Sequence, residues 1–249
     1  MRRTSYLLPL IVLSASFATA ALPQKTEGFW AKVLKVLGIT ATPANQKGDE
    51  DPTVQGDIWV YKVDSKLASP VKQGNFSSPI FLPSGNVVLA LSGEKVVKID
   101  VVLEGTQISA GTAAELATIP GIIRLIAVQS DAADQVLILT DMDHDNCPGV
   151  AVLNLNDRSV VPLTHTNSKE DGNLIDYLRR SEREYDDGTK LEVRMEIKKK
   201  DGKDLQAVNA YLKLPGKDYA NISRCPAGVN CGQPSVSNDR KYVLFVGKV

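Results

Sequence analysis

The densest group of metal-capable side chains in the chain is Asp141-Met142-Asp143-His144-Asp145-Asn146. Acidic residues at alternate positions, Asp141, Asp143 and Asp145, resemble the opening of a calcium loop, because that spacing turns carboxylates toward one centre. The likeness stops there. Asn146 stands where such a loop needs glycine, and Val152 stands where it needs a bidentate glutamate. Set between apolar runs at 135–139 and 150–155, the segment reads as an acidic, solvated tip, and calcium is the one cofactor it suggests. Zinc needs three or four ligands, and the two histidines, His144 and His165, have no partner at helical spacing.

Other chemistry is thinly represented. No Gly-x-Ser-x-Gly elbow occurs, which argues against a serine hydrolase of that type. Two strand-end carboxylates meeting across a channel would suit glycoside cleavage, and Asp57, Asp64, Asp100 and Asp176 are the acids so placed. Of three cysteines, Cys225 and Cys231 flank a five-residue loop and are expected to form a disulfide. Cys147 is left either as a buried thiol or as one end of a longer bridge. Lys198-Lys199-Lys200 makes a basic tip and residues 182–187 an acidic stretch; solvated hairpin is the default for both, with steering of a partner as the alternative. Asn75 and Asn221 begin glycosylation sequons, meaningful only for a eukaryotic source.

The elements that must position these groups begin with an export signal. Arg2 and Arg3, an apolar run at 7–13 and Ala18-Thr19-Ala20 make residues 1–20 a cleavable signal peptide. The run is too short to span a bilayer, and Arg2-Arg3 lacks the rest of the twin-arginine pattern. No transmembrane segment is expected downstream, so the mature protein reads as periplasmic or secreted. Its charges balance at 29 of each sign, which disfavours a nucleic-acid partner. Residues 21–55 read as a short amphipathic helix, with Trp30, Val33, Leu34 and Leu37 on one face, and a polar linker.

From Gly56 the pattern is short strands and turns, and it repeats. Residues 58–70 align without a gap on 150–162, each a strand, a polar turn (Asp64-Ser65-Lys66; Asn156-Asp157-Arg158) and a second strand ending at proline. Fainter copies lie at 96–100 and 210–216. A second pattern alternates with the first: residues 78–91 align on 233–246, each with a proline at a strand start, a turn, and a wholly apolar strand. Such a strand suits burial on both faces. Residues 124–139 are a looser copy, and the fourth must come from 174–200, beginning at 174–178 as strand or helical turn. Four units of about 48 residues over 56–249 match the usual propeller spacing of about 40 to 50. The expected fold is therefore all-β, a four-bladed β-propeller closed by pairing of the C-terminal strands with the N-terminal hairpin and preceded by the short helix.

The segments Gly56-Asp57-Ile58-Trp59-Val60, residues 77–85 and residues 233–246 resemble TolB-type β-propeller repeats, a relative of WD-type repeats. The chain departs from that family in having Asn238-Asp239-Arg240 in place of a Pro-Asp-Gly turn, and in lacking TolB's N-terminal domain or reducing it to residues 27–38. The resemblance implies a small periplasmic or secreted relative of TolB that binds a protein or peptide partner in the cell envelope without catalysis. A glycan-cleaving propeller and a calcium-stabilised structural module are the alternatives.

Overall fold

The computed structural model describes residues 54–104, 107–128, 133–141, 148–164, 175 and 177–248. The residues expected to form a signal peptide, a short helix and nearly all of a linker lie outside them, as do Asp143, His144, Asp145, Cys147, His165 and Asp176. Val54, at the end of the predicted linker, is buried against the first strands, so the packed structure starts slightly earlier than the polar composition suggests. No helix among the described residues is long and apolar enough to cross a membrane.

The described chain is all-β apart from one helical turn. In order the strands are β1 (Gly56–Lys62), β2 (Leu67–Phe81), β3 (Val87–Ser92), β4 (Lys95–Glu104) and β5 (Gln107–Thr118). Next come β6 (Ile122–Val128), β7 (Gln135–Thr140), β8 (Gly149–Asn154), β9 (Val160–Thr164) and β10 (Arg183–Glu184). The last are β11 (Lys190–Lys200), β12 (Lys203–Lys213), β13 (Ala220–Asn221), β14 (Cys231–Val236) and β15 (Tyr242–Gly247). They form one seven-stranded sheet, β14-β15-β1-β2-β3-β4-β5, and two four-stranded sheets, β6 to β9 and β10 to β13.

Strand β15 lies antiparallel beside β1, from Asp57 opposite Gly247 to Lys62 opposite Tyr242. The first and last of the described strands are thus hydrogen-bonded to each other, the pairing expected from the sequence. The seven-stranded sheet changes partners along β2: residues 67–72, and Phe76 beyond a register shift, pair with β1, whereas Ser77, Ile80 and Phe81 pair with β3. Between them Gly74 has φ +153°, and a Cβ there would lie 2.5 Å from the Phe76 ring, so glycine is required at the bend. Asp57 fixes the bend from across the sheet by accepting the Gly74 N–H at 2.8 Å.

Alternate residues of the central strands feed different cores, which is why these strands are apolar throughout. Val88 and Ala90 of β3 pack with Ile58, Val60, Leu244 and Val246, whereas Leu89 and Leu91 pack with Leu125, Val136 and Ile138. In β15, Leu244 and Val246 face the first of these clusters, and Val243 and Phe245 face a third with Leu191, Ala210 and Leu212. In β7, Val136 and Ile138 face the second, and Leu137 and Leu139 a fourth with Ile175 and Leu178. A strand that buries both faces cannot alternate polar with apolar.

Repeated turns also share backbone geometry. Lys66, Arg158 and Arg240, each third in its turn, have φ of 57°, 62° and 59°. Strand β11 is buried at Leu191 but extends beyond the core, leaving Met195 61% and Ile197 62% exposed. At the expected start of the fourth unit, Ile175 and residues 177–179 are helical, and the first strand there is the two-residue β10. The helical outcome follows from Ile175 and Leu178, three apart, which bury on one side against β7. The Arg183 guanidinium then donates to the carbonyls of Tyr177 at 3.2 Å, Arg180 at 2.5 Å, Glu182 at 2.7 Å and Leu178 at 3.0 Å. Those bonds satisfy carbonyls that a helix end leaves open.

A candidate binding cavity where the first strands meet

Residues on or beside β2, β6, β10 and β14 contribute to one cavity of about 80 Å³. Ser78 to Phe81 of β2, Arg124 to Val128 of β6, Arg183 and Tyr185 at β10, and Gln233 to Val236 of β14 line it, with Asn238 and Arg240 at the following turn. Pockets that enclose a whole small molecule hold about 300–1,000 Å³. This one admits a functional group rather than a sugar ring.

Two of the lining strands reach the cavity through equivalent irregularities. The β2–β3 ladder shifts register between Ser77 and Ile80, and the β14–β15 ladder between Gly232 and Ser235. Ser78 (φ 49°) and Gln233 (φ 53°) occupy the left-handed region there, each followed by a proline. Non-glycine residues held in that region cost energy and are retained where the surroundings over-determine them. Pro79 and Pro234 have no N–H, which suits places where a strand has a ladder partner on one side only. The Ser78 N–H donates to the Gln233 side-chain oxygen at 2.6 Å, bridging the two strands across the cavity wall. The Ser78 hydroxyl, on a residue only 3% exposed, is buried without a hydrogen-bond partner.

The charge at the cavity is positive. Arg124 and Arg183 are 8% and 7% exposed. Arg124 donates to the Arg179 carbonyl and, at 2.8 Å, to the Ser181 hydroxyl. Arg183 donates only to the four carbonyls above and lies 5.1 Å from the Tyr177 ring centre. Arg240 rests on the Tyr185 ring at 4.2 Å and donates to Asp187 at 2.8 Å. Burial pushes the Tyr185 phenol up in spite of Arg183 and Arg240, so it stays protonated at neutral pH. Among the described residues that line the cavity there is no Asp, Glu, His or Cys.

The carboxylates named from sequence as channel acids lie elsewhere. Asp57 is engaged with Gly74, Asp64 and Asp100 are exposed, and Asp176 lies outside the described residues. Of the calcium-type loop, Asp141 alone is described; its N–H bonds the Gly121 carbonyl at 2.8 Å, and Asp143 and Asp145 fall outside. Among the described residues no group of three or more His, Cys, Asp or Glu is gathered as a metal site. Cys225 and Cys231 are bonded, Cα atoms 6.2 Å apart, and fully buried, tying the loop before β14 to the strand that carries Gln233. Lys198 is not a free basic tip, since it donates to the Cys225 carbonyl at 2.5 Å. The arginines went unnoticed in the sequence. The signal for Arg124 was there: a single charge inside the apolar run Ile122-Ile123-Arg124-Leu125-Ile126.

No family model and no curated protein matches the chain. Among solved structures it is similar to a protein assigned as TolB from Agrobacterium tumefaciens, at 13% identity and TM-score 0.39, over 80% of this chain and 62% of that one. It is also similar to TolB from Acinetobacter baumannii, at 16% identity and TM-score 0.35, over 86% of this chain and 49% of that one. The chain therefore spans less than two-thirds of the length of either structure.

Proposed function

We propose that the chain is an exported four-bladed β-propeller that binds a protein or peptide partner in the cell envelope and does no chemistry on it. Its blades would be β2–β5, β6–β9, β10–β13 and β14-β15-β1-β2, with the long β2 shared between first and last. Supporting this, each four-stranded group shares an apolar cluster with the next, and Tyr185 and the 175–178 turn link the second group to the third. The observation that carries the functional reading is the cavity: four leading strands converge on a small, polar, cationic site, and the strand-end acids described stand outside it. Such a site can seat one side chain or chain end of a partner, while rigid sheets hold the surrounding loops.

Residues 1–20 would direct export, and N-terminal sequencing of the protein from a periplasmic fraction should begin at residue 21. Selection from a displayed peptide library tests the binding role. Enriched peptides should lose binding when Ser235, which lines the cavity, is changed to Trp. Retained binding would move the site elsewhere on the surface, and turnover of a glycan library with no peptide enriched would favour the enzyme reading.

A further inference from the structure

We propose that the cavity recognises a carboxylate group, presented by an acidic side chain or by the C-terminus of a bound peptide; this rests on the peptide-binding reading above. Three observations combine. Arg183 buries a full positive charge with only carbonyls and one aromatic ring as partners; Arg124, which is bonded to the Arg179 carbonyl and Ser181 among its partners, lines the same cavity. Carbonyl dipoles satisfy guanidinium N–H groups but leave the net charge in place, and a buried charge calls for an opposite one. Arg240 brings a third guanidinium, with Asp187 the acid bonded to it.

The second observation is the Ser78 hydroxyl, a donor shut away from water in the cavity wall with nothing to bond. An unfilled buried hydroxyl is costly, and a bound carboxylate oxygen would accept from it. The third is Gln233. Its side-chain oxygen is committed to the Ser78 N–H, which assigns its NH₂ group to face away from that bond as a further donor. Hydroxyl, amide and guanidinium groups around a space of about 80 Å³ suit one planar anion, and the space is well below that of pockets which enclose a whole small molecule.

Calorimetric titration of the mature protein with four short synthetic peptides of shared apolar sequence tests this. One carries an internal glutamate and an amidated C-terminus, one has no acid but a free C-terminus, one has neither, and one carries lysine with an amidated C-terminus. The glutamate or free-C-terminus peptide should bind at least about ten-fold more tightly than the neutral amidated one, and which of the two wins identifies the source. Ser78→Ala should keep or raise the melting temperature, because it removes an unbonded polar atom, yet weaken that peptide about ten-fold. Gln233→Glu retains the acceptor for Ser78 and adds a negative charge; it should raise the melting temperature and abolish carboxylate binding. Equal binding of all four peptides, or Ser78→Ala that leaves affinity unchanged, overturns the carboxylate assignment while sparing the peptide-binding role. Absence of binding by every peptide overturns both.

Discussion

Replacing Phe245 by alanine tests the packing at the seam between the chain's two ends. Phe245 is fully buried in β15, directly opposite Trp59 of β1, and the two rings stack with centroids 6.2 Å apart and planes at 11°. Its ring also reaches the cluster of Leu191, Ala210 and Leu212, so it joins the last strand to both the first strand and the β11–β12 hairpin. Truncating a buried phenylalanine costs about 3–5 kcal/mol, since strands fixed by ladders on both sides cannot close the space. For a chain of this size each kcal/mol moves the melting temperature by about 2–4 °C, so the shift should be about 6–20 °C. Urea unfolding followed by tryptophan fluorescence gives the free energy directly. A Trp59/Phe245 double-mutant cycle should add a coupling of about 0.5–1.5 kcal/mol for the ring pair. Val102→Ala, on a residue 46% exposed in β4, is the control and should change stability by no more than about 0.5 kcal/mol. A Phe245→Ala cost as small as the control's, with no coupling to Trp59, would refute the seam.

Other outcomes follow from the same geometry. Gly56→Ala should be strongly destabilising in thermal melts, because a Cβ there would lie 2.7 Å from the Gly247 carbonyl carbon, a backbone atom that cannot swing away. Gly247→Ala would drive its Cβ into the Cys231 sulfur and should cost about 1–3 kcal/mol. Changing Cys225 and Cys231 together to serine opens a short loop and should lower stability by about 2 kcal/mol in urea titrations. Burial and the hydrogen bond to Glu192 push the Tyr219 phenol up to about 12. A raised folded-state value means its contribution is complete below about pH 10, where the free phenol titrates, and disappears as pH climbs toward about 12. Stability measured over that window should therefore fall, and fall less in Tyr219→Phe.

The class of structure was legible because period-two patterning and turn chemistry are local. Gly56-Asp57-Ile58-Trp59, the turns ending at Lys66, Arg158 and Arg240, and the apolar strands at 87–91 and 242–246 announce strands, and the aligned repeats announce their order. Even the pairing of Ile58 with Val246 could be inferred, because an odd hairpin at each end of the repeat needs a partner. For 174–178 strand and helical turn stayed open in the sequence, and the structure takes the helical turn, because Ile175 and Leu178, three apart, then share one face against β7.

The cavity was hidden for a different reason. Ser78, Arg124, Arg183 and Gln233 are separated by up to 155 residues, and singly each is an unremarkable polar residue near a strand. Sequence by itself determined that strands would form, in what order, and which faces were apolar, because propensity and alternation act over a few neighbouring residues. Only the tertiary structure decided that parts of β2, β6, β10 and β14 border one space of about 80 Å³ and that Ser78, Arg124, Arg183 and Gln233 are among the residues that line it. Electrostatics and desolvation depend on distance through space, and that distance is not written along the chain.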